Sequence, residues 1–139
     1  MPTSAISPIV ANLLHLSSEV DAPGDLLEPA LDLVQPATSA EALAMVRATP
    51  PDWTVVAVRS VGASSVPLEL AAEALERDSL VRRDRWSATP IACGRGEAAE
   101  SRESPYVLLL RGPCEERVLA GVAQALGDAL AIAGRNHRA

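Results

Sequence analysis

Lysine and phenylalanine are absent from the 139 residues, and the aromatic side chains are Trp53, Trp86 and Tyr106. Without lysine there is no Schiff-base chemistry and no phosphate loop of the GxxxxGK type. Without phenylalanine the core has to be built from Leu, Val, Ile and Ala. Residues 1–46 contain no basic side chain, yet they carry Glu19, Asp21, Asp25, Glu28, Asp32 and Glu41. The other twelve acids are balanced by all twelve arginines, so the net charge of −6 belongs to the N-terminal third. An acidic chain with so few aromatics lacks the basic, base-stacking surface that nucleic acid requires. No segment approaches the ~20 apolar residues needed to cross a membrane. The opening MPTSAISPIV has no basic region of the kind that begins a secretory signal. Cys93 and Cys114 are the only cysteines and form no Cys-x-x-Cys pair. Both read as free thiols in a reducing cytoplasm.

The length fits one domain, residues 1–139, with a core of its own and loose tails at 1–5 and 134–139. Ser7 and Pro8 read as the start of a first helix carrying Ile6, Ile9, Val10, Leu13, Leu14, Leu16 and Val20. DAPGD breaks it. A second helix begins at Gly24–Asp25, turns Leu26, Leu27, Ala30, Leu31, Leu33 and Val34 inward, and is expected to stop at Pro36. EALAMVRA (41–48) has high helix propensity but is short and is followed at once by a Pro-Pro-Asp turn and the β-branched run WTVVAVRSV. The two runs would then make a hairpin, and we assign 42–48 as a strand, against its propensity, because the fold considered below requires it. A helix follows from Pro67 to about Asp78, then strands at 80–83, 86–92 and 106–110. Pro90 points to an edge or bulge, and YVLLL to a central strand. Residues 93–104 are a polar loop. The last helix is predicted from about Cys114 to Ala133, capped by Gly134. The order α-α-β-β-α-β-β-β-α describes an α+β protein.

This order resembles the GAF domain, the small-molecule sensor module of bacterial signalling proteins. DLLEPALDLVQPATSAEALAMVRATPPDWTVVAVRSVG looks like that family's opening helix and first hairpin. PLELAAEALERDSLVRRD looks like its middle helix and short strand, WSATPIA like the strand with a small-apolar-Pro ending, and YVLLLRG with RVLAGVAQALGDALAIA like the last strand and terminal helix. The resemblance implies a twisted, profilin-like antiparallel sheet of five to six strands. The N- and C-terminal helices would pack on one face, and a ligand pocket would lie on the other, under the middle helix. Little chain separates Leu80–Arg83 from Trp86, where many members have a further helix, so the implied pocket is small, with 93–104 as a candidate flap. The sensor domains of enhancer-binding transcriptional activators and of histidine kinases are the nearest kinds. The implied role is regulatory rather than enzymatic, with an output domain or partner outside this chain.

Several residue sets carry possible chemistry. Arg82, Arg83 and Arg85, with Arg77, form a basic run interrupted by Asp78 and Asp84. It reads either as a self-neutralised solvated face or as a carboxylate clamp at a pocket rim, because guanidinium binds carboxylates bidentately. Arg59 ends an apolar strand and needs a partner if buried. Trp86 is either core or pocket wall. The expected ligand-binding residues are Arg59, Arg82, Trp86 and Thr89. The first and last helices carry apolar residues beyond one narrow stripe, so a two-fold dimer through Ile9, Leu13, Leu16, Leu119, Leu126 and Leu130 is expected, against the simpler reading of a broad buried face. His15 and His137 share no metal-ligand spacing, and no GxSxG elbow exists. Cys114, near a helix start, has a lowered thiol pKa on that reading. The Asn-Lys-Phe type signature of cyclic-nucleotide-binding members and the Cys-His neighbours of bilin-binding members are both missing. No cofactor is expected. Two other readings stay open: a ligand-free dimerisation module of roadblock-like or profilin-like type, and a thiol redox enzyme.

Overall fold

The computed structural model describes residues 11–12, 15–16, 18, 23–38, 40–49, 52–91 and 106–138. Residues 11, 12, 15, 16 and 18 are helical. Thereafter the elements are α1 (Pro23–Thr38), β1 (Ala42–Thr49), β2 (Asp52–Arg59), a 3-10 turn (Ala63–Ser65), α2 (Leu68–Arg77), β3 (Val81–Arg83), β4 (Trp86–Ile91), β5 (Tyr106–Arg111) and α3 (Glu116–Arg138). The five strands form one antiparallel sheet in the order β2-β1-β5-β4-β3. The segment 42–48 is therefore strand despite its helix propensity. Its ladders to β2 and β5 outweigh the local preference of Ala, Leu and Met.

YVLLL occupies the middle of the sheet, and its residues Tyr106–Leu110 are all buried. Pro90 pairs with Val107 on the β5 side, but β3 ends its pairing at Val81–Ala88. Pro90 thus lies where β4 is locally an edge, the place a residue without an N–H is tolerated.

Period-two alternation divides the core between the two faces. Leu43, Met45, Leu108 and Leu110 point toward α1 and α3, where they meet Leu26, Leu31, Val34, Leu119, Val122 and Leu126. Ala44, Val46, Ala88, Val107 and Leu109 point to the other face, where α2 supplies Leu70, Ala71 and Ala74. One irregularity sets which way β2 faces. Met45 pairs with Ala57 but Val46 pairs with Val55, so Val56 is an extra residue in the ladder. This bulge reverses the alternation. It sends Ala57 and Arg59 to the α1 side and Val55 and Trp53 to the α2 side.

The helix ends differ from expectation. Pro36 does not stop α1, which runs to Thr38 with Pro29 and Pro36 inside it. Near that end the Thr38 hydroxyl donates to the Val34 carbonyl at 3.0 Å. At the other terminus α3 starts at Glu116 rather than Cys114 and passes through Gly134 to Arg138, so 134–138 are helical rather than a loose tail. The end of α2 is more specific. Asp78 takes a left-handed conformation (φ 54°), its N–H donates to the Leu75 carbonyl, and the Ser79 N–H donates to the Ala74 carbonyl. Together these bonds form a Schellman closure.

Candidate functional site

An open groove of about 350 Å³ lies at one end of the sheet, where the β3–β4 turn faces the β5–α3 connection. Arg82, Asp84 and Arg85 form one wall, and Trp86 and Ser87 enter from the start of β4. Gly112, Pro113 and Cys114 form the opposite wall. The two walls are tied together. The Gly112 N–H donates to the Arg85 carbonyl at 2.9 Å. Arg82 Nη2 donates to the Cys114 carbonyl, bridging the edge strand to the residues that lead into α3.

Glu41 holds the charged end of this site. It follows α1 and precedes β1, and its N–H donates to the Arg111 carbonyl at 2.8 Å. Its carboxylate pairs with Arg85 through Oε2 and lies 3.5 Å from Arg111 Nε through Oε1. Gly112 makes this approach possible. Its φ is +118°, and a Cβ there would lie 3.2 Å from Glu41 Cγ and 3.3 Å from the Glu41 backbone nitrogen. Only glycine adopts that conformation without strain.

The expected ligand residues separate. Arg82 and Trp86 both line the groove. Thr89 does not: it pairs with Leu108, shares that residue's face, and is buried toward the terminal helices. Arg59 lies at the far edge of the sheet and is spoken for by α1. Its Nε donates to Asp32 Oδ1 at 2.6 Å, Nη1 to Glu28 Oε1 at 2.8 Å and Nη2 to the Glu28 carbonyl at 3.0 Å. Donating to Asp32 and Glu28 raises the Arg59 pKa further, and accepting from Arg59 lowers that of Asp32. Arg59 thus clamps β2 to α1 and lies apart from the groove. Arg83, on the opposite face from Arg82, pairs with Glu73 of α2 at 2.7 Å, and Arg77 pairs with the same carboxylate at 3.3 Å. Half of the basic run is thus a self-neutralised surface, as its simpler reading had it.

The expected dimer surface is also corrected. Leu119, Leu126 and Leu130 are 0%, 0% and 3% exposed within the chain's own core, so they have no area to offer a partner. Leu16 packs against the same core. Ile9 and Leu13 lie outside the described residues. The apolar width of α3 serves α1 on one flank and the sheet on the other.

Cys114 departs from expectation too. Burial raises its thiol pKa, Arg82 draws it down and Glu115 adds to the rise. It stands two residues before α3 begins, and burial is the largest influence on its thiol. Cys93 and the expected flap 93–104 lie outside the described residues. Among the described residues no group of three metal-ligating side chains occurs, and no helix is long and apolar enough to cross a membrane.

Glu41 and Arg47 were not singled out by sequence. Glu41 looked like the first residue of a helix former. Arg47 looked like one alternating residue of β1, but it sits 5.8 Å from the Tyr106 ring centroid. Its Nε is buried without a hydrogen-bond partner among the described residues, at the end of the sheet away from the groove.

No protein-family model and no curated protein matches the chain. Solved structures do. The GAF domain of an Acinetobacter phosphoenolpyruvate-protein phosphotransferase superposes with a TM-score of 0.70 at 11% identity, covering 96% of this chain and 95% of that one. The GAF domain of a Coxiella burnetii phosphoenolpyruvate-protein phosphotransferase gives 0.69 at 12% identity, over 94% and 95%. With the antiparallel sheet, the terminal helices on one face and α2 on the other, these superpositions establish that the chain has the GAF-domain fold.

Proposed function

We propose that this chain is a regulatory sensor domain that binds a small molecule and passes the change to a neighbouring domain or partner in a bacterial signalling protein. The observation that carries the reading is the groove, built on a GAF fold and tied directly to the start of α3 by the Arg82–Cys114 contact. Occupying the groove perturbs that contact, and α3 carries the perturbation along its 23 residues. A ligand that binds one arrangement of the contact better than another shifts the balance between them, which is the requirement for signalling. The role is non-catalytic and cytoplasmic. The solved neighbours come from phosphotransferase proteins, which add a third setting beside transcriptional activators and histidine kinases.

Native mass spectrometry of the purified chain, joined to a thermal-shift screen of metabolites, tests the reading. We expect a small molecule retained in the native spectrum and lost on denaturation, or a saturable rise in melting temperature with a library member. A bare chain that no compound stabilises overturns it, and favours the ligand-free interaction module. The same spectrum gives the subunit count.

A further inference from the structure

The groove has a definite chemical character. Two guanidinium groups, Arg82 and Arg85, and one carboxylate, Asp84, line it, and just outside the lining Glu41 and Arg111 meet. Glu41 is divided between Arg85 and Arg111. Arg82 has no carboxylate partner among the described residues; its hydrogen bond goes to a neutral carbonyl. The lining itself thus holds one more guanidinium than carboxylate, in a chain whose net charge is −6, with Glu115 near the Cys114 wall. Beside the guanidinium groups stand Trp86, half-buried, and Pro113, and both offer flat apolar surface. Guanidinium groups next to an aromatic wall match a flat molecule that bears a carboxylate. The volume suits a ligand of about one ring.

From this, and resting on the sensor reading above, we infer that the groove is a binding site for small aromatic carboxylates, with Arg82 and Arg85 as the carboxylate receptors and Glu41 as an internal competitor for Arg85. In the empty state the Glu41 side chain supplies the carboxylate that Arg85 faces. An incoming carboxylate takes Arg85 and leaves Glu41 to Arg111. The exchange links the groove to the α1–β1 junction, where Glu41 resides, and to α3 through Arg82. Asp84 opposes the ligand's charge and sets a preference for a monoanion over a multiply charged phosphate or sulfate.

Benzoate is the probe, with benzamide as its uncharged isostere and sulfate as an anion without a ring. The two tryptophans give two indole N–H signals by NMR, and Trp53, on β2 at the other edge of the sheet, is a built-in control. We expect benzoate at low ionic strength to shift the Trp86 indole signal saturably while Trp53 stays fixed. R82Q and R85Q should each weaken binding by about tenfold, the size expected for a charge-assisted hydrogen bond. Both residues are exposed, and unchanged backbone spectra verify the fold of each variant. E41Q should tighten binding by up to about fivefold, because a competitor held by a surface ion pair is removed. Equal shifts with benzamide, equal competition by sulfate, or affinities unchanged in R82Q and R85Q overturn the inference. So does a Trp86 signal that never saturates. A metabolite that stabilises wild type and the R82Q R85Q double variant equally overturns this inference while leaving the sensor reading intact.

Discussion

The two faces of the sheet are packed by different rules. Under α1 and α3 the side chains are large: Leu26, Leu31, Leu43, Met45, Leu108, Leu110, Leu119 and Leu126 are all fully buried. Under α2 the buried residues run smaller: Ala44, Ala71, Ala74 and Ala88, then Val46, Val66, Val81 and Val107, with only Leu70 and Leu109 as large as the leucines of the first face. Small residues let α2 approach β4 and β5 closely. Partly buried Trp53, Val55, Val58, Leu75 and Trp86 form the margin of this second layer. The first face is a sealed core. The second is a thin one that places its aromatics at the rim, and one of them, Trp86, thereby becomes a wall of the groove. Beneath α2, where a pocket was expected, Leu70, Ala71 and Ala74 pack against the sheet, and the groove lies at the sheet's end.

The sharpest way to break this comparison is to make equivalent truncations on the two faces. Leu126→Ala removes a fully buried side chain from the sealed face and should cost about 3–4 kcal/mol, lowering the melting temperature on the order of 10 °C. Leu75→Ala, at the margin of the thin face, should cost about 1 kcal/mol. Urea denaturation of both variants measures the ratio. Equal losses would mean that the two layers are energetically alike, and the contrast between them would fall.

A smaller effect is expected where the groove meets the sealed face. Gly112→Ala forces a side chain into a positive-φ position and against Glu41, backbone included. About 2 kcal/mol of stability should be lost. Because Glu41 must yield, the Arg85 pair should loosen as well. Chemical denaturation reads the first effect, and the Arg85 side-chain signals in NMR read the second. A Gly112→Ala variant as stable as wild type would show that Glu41 moves freely and does not brace the junction.

Arg59 tests the opposite edge, where charge rather than apolar area joins β2 to α1. Its side chain is 23% exposed, but Glu28 and Asp32 are 60% and 63% exposed, so solvent screens the cluster. Arg59→Met should therefore cost only about 1 kcal/mol, and less at high salt. The pH dependence has a definite sign. Asp32 has a lowered pKa in the folded state because Arg59 donates to its carboxylate. Its contribution is complete above the unfolded value of 3.8 and is lost as pH falls through the lower folded value. Arg59 stays charged throughout. Acid titration of stability should show this loss in wild type and not in Arg59→Met. Identical acid profiles would remove the clamp from the account.

Much of this architecture was legible because hydrophobic periodicity reports burial. The spacing of Leu26, Leu27, Ala30, Leu31 and Val34, the run YVLLL and the stripe of α3 each gave the correct element. Residues 42–48 are legible as a strand only because the family resemblance requires a hairpin there; their own helix propensity points the other way. What periodicity does not report is which neighbour buries a residue. Leu119 and Leu130 looked like surplus apolar surface because one stripe suffices for one contact, whereas α3 contacts both α1 and the sheet. Trp53, Arg59 and Val55 could not be assigned to faces, because the bulge at Val56 reverses β2 without a glycine to announce it. Thr89 and Trp86 stand three apart on one strand and therefore point to opposite faces. The site was half visible: Arg82 and Trp86 are close in sequence, but Glu41 and Gly112 reach them only through the β1–β5 pairing.

The end of α2 offers the smallest and most local sharpening of the comparison between faces. The helix has ten residues, too few to be stable by propensity alone, so it depends on the thin layer beneath it and on its closure. That closure places Asp78 at φ 54°, a conformation that glycine adopts more readily than any other residue. Asp78→Gly relieves the folded state but also gives the unfolded chain more freedom, and the two effects partly cancel. The net result should be a gain of about 0.5 kcal/mol, seen in denaturation and as slower amide exchange along 68–77. A gain in protection confined to α2 would show that this helix opens separately from the rest of the molecule, as a layer held by small residues should. Protection that rises equally in α3 and β5 would instead show that the thin face unfolds only with the sealed one, and that the difference in packing does not divide the molecule into separately stable parts.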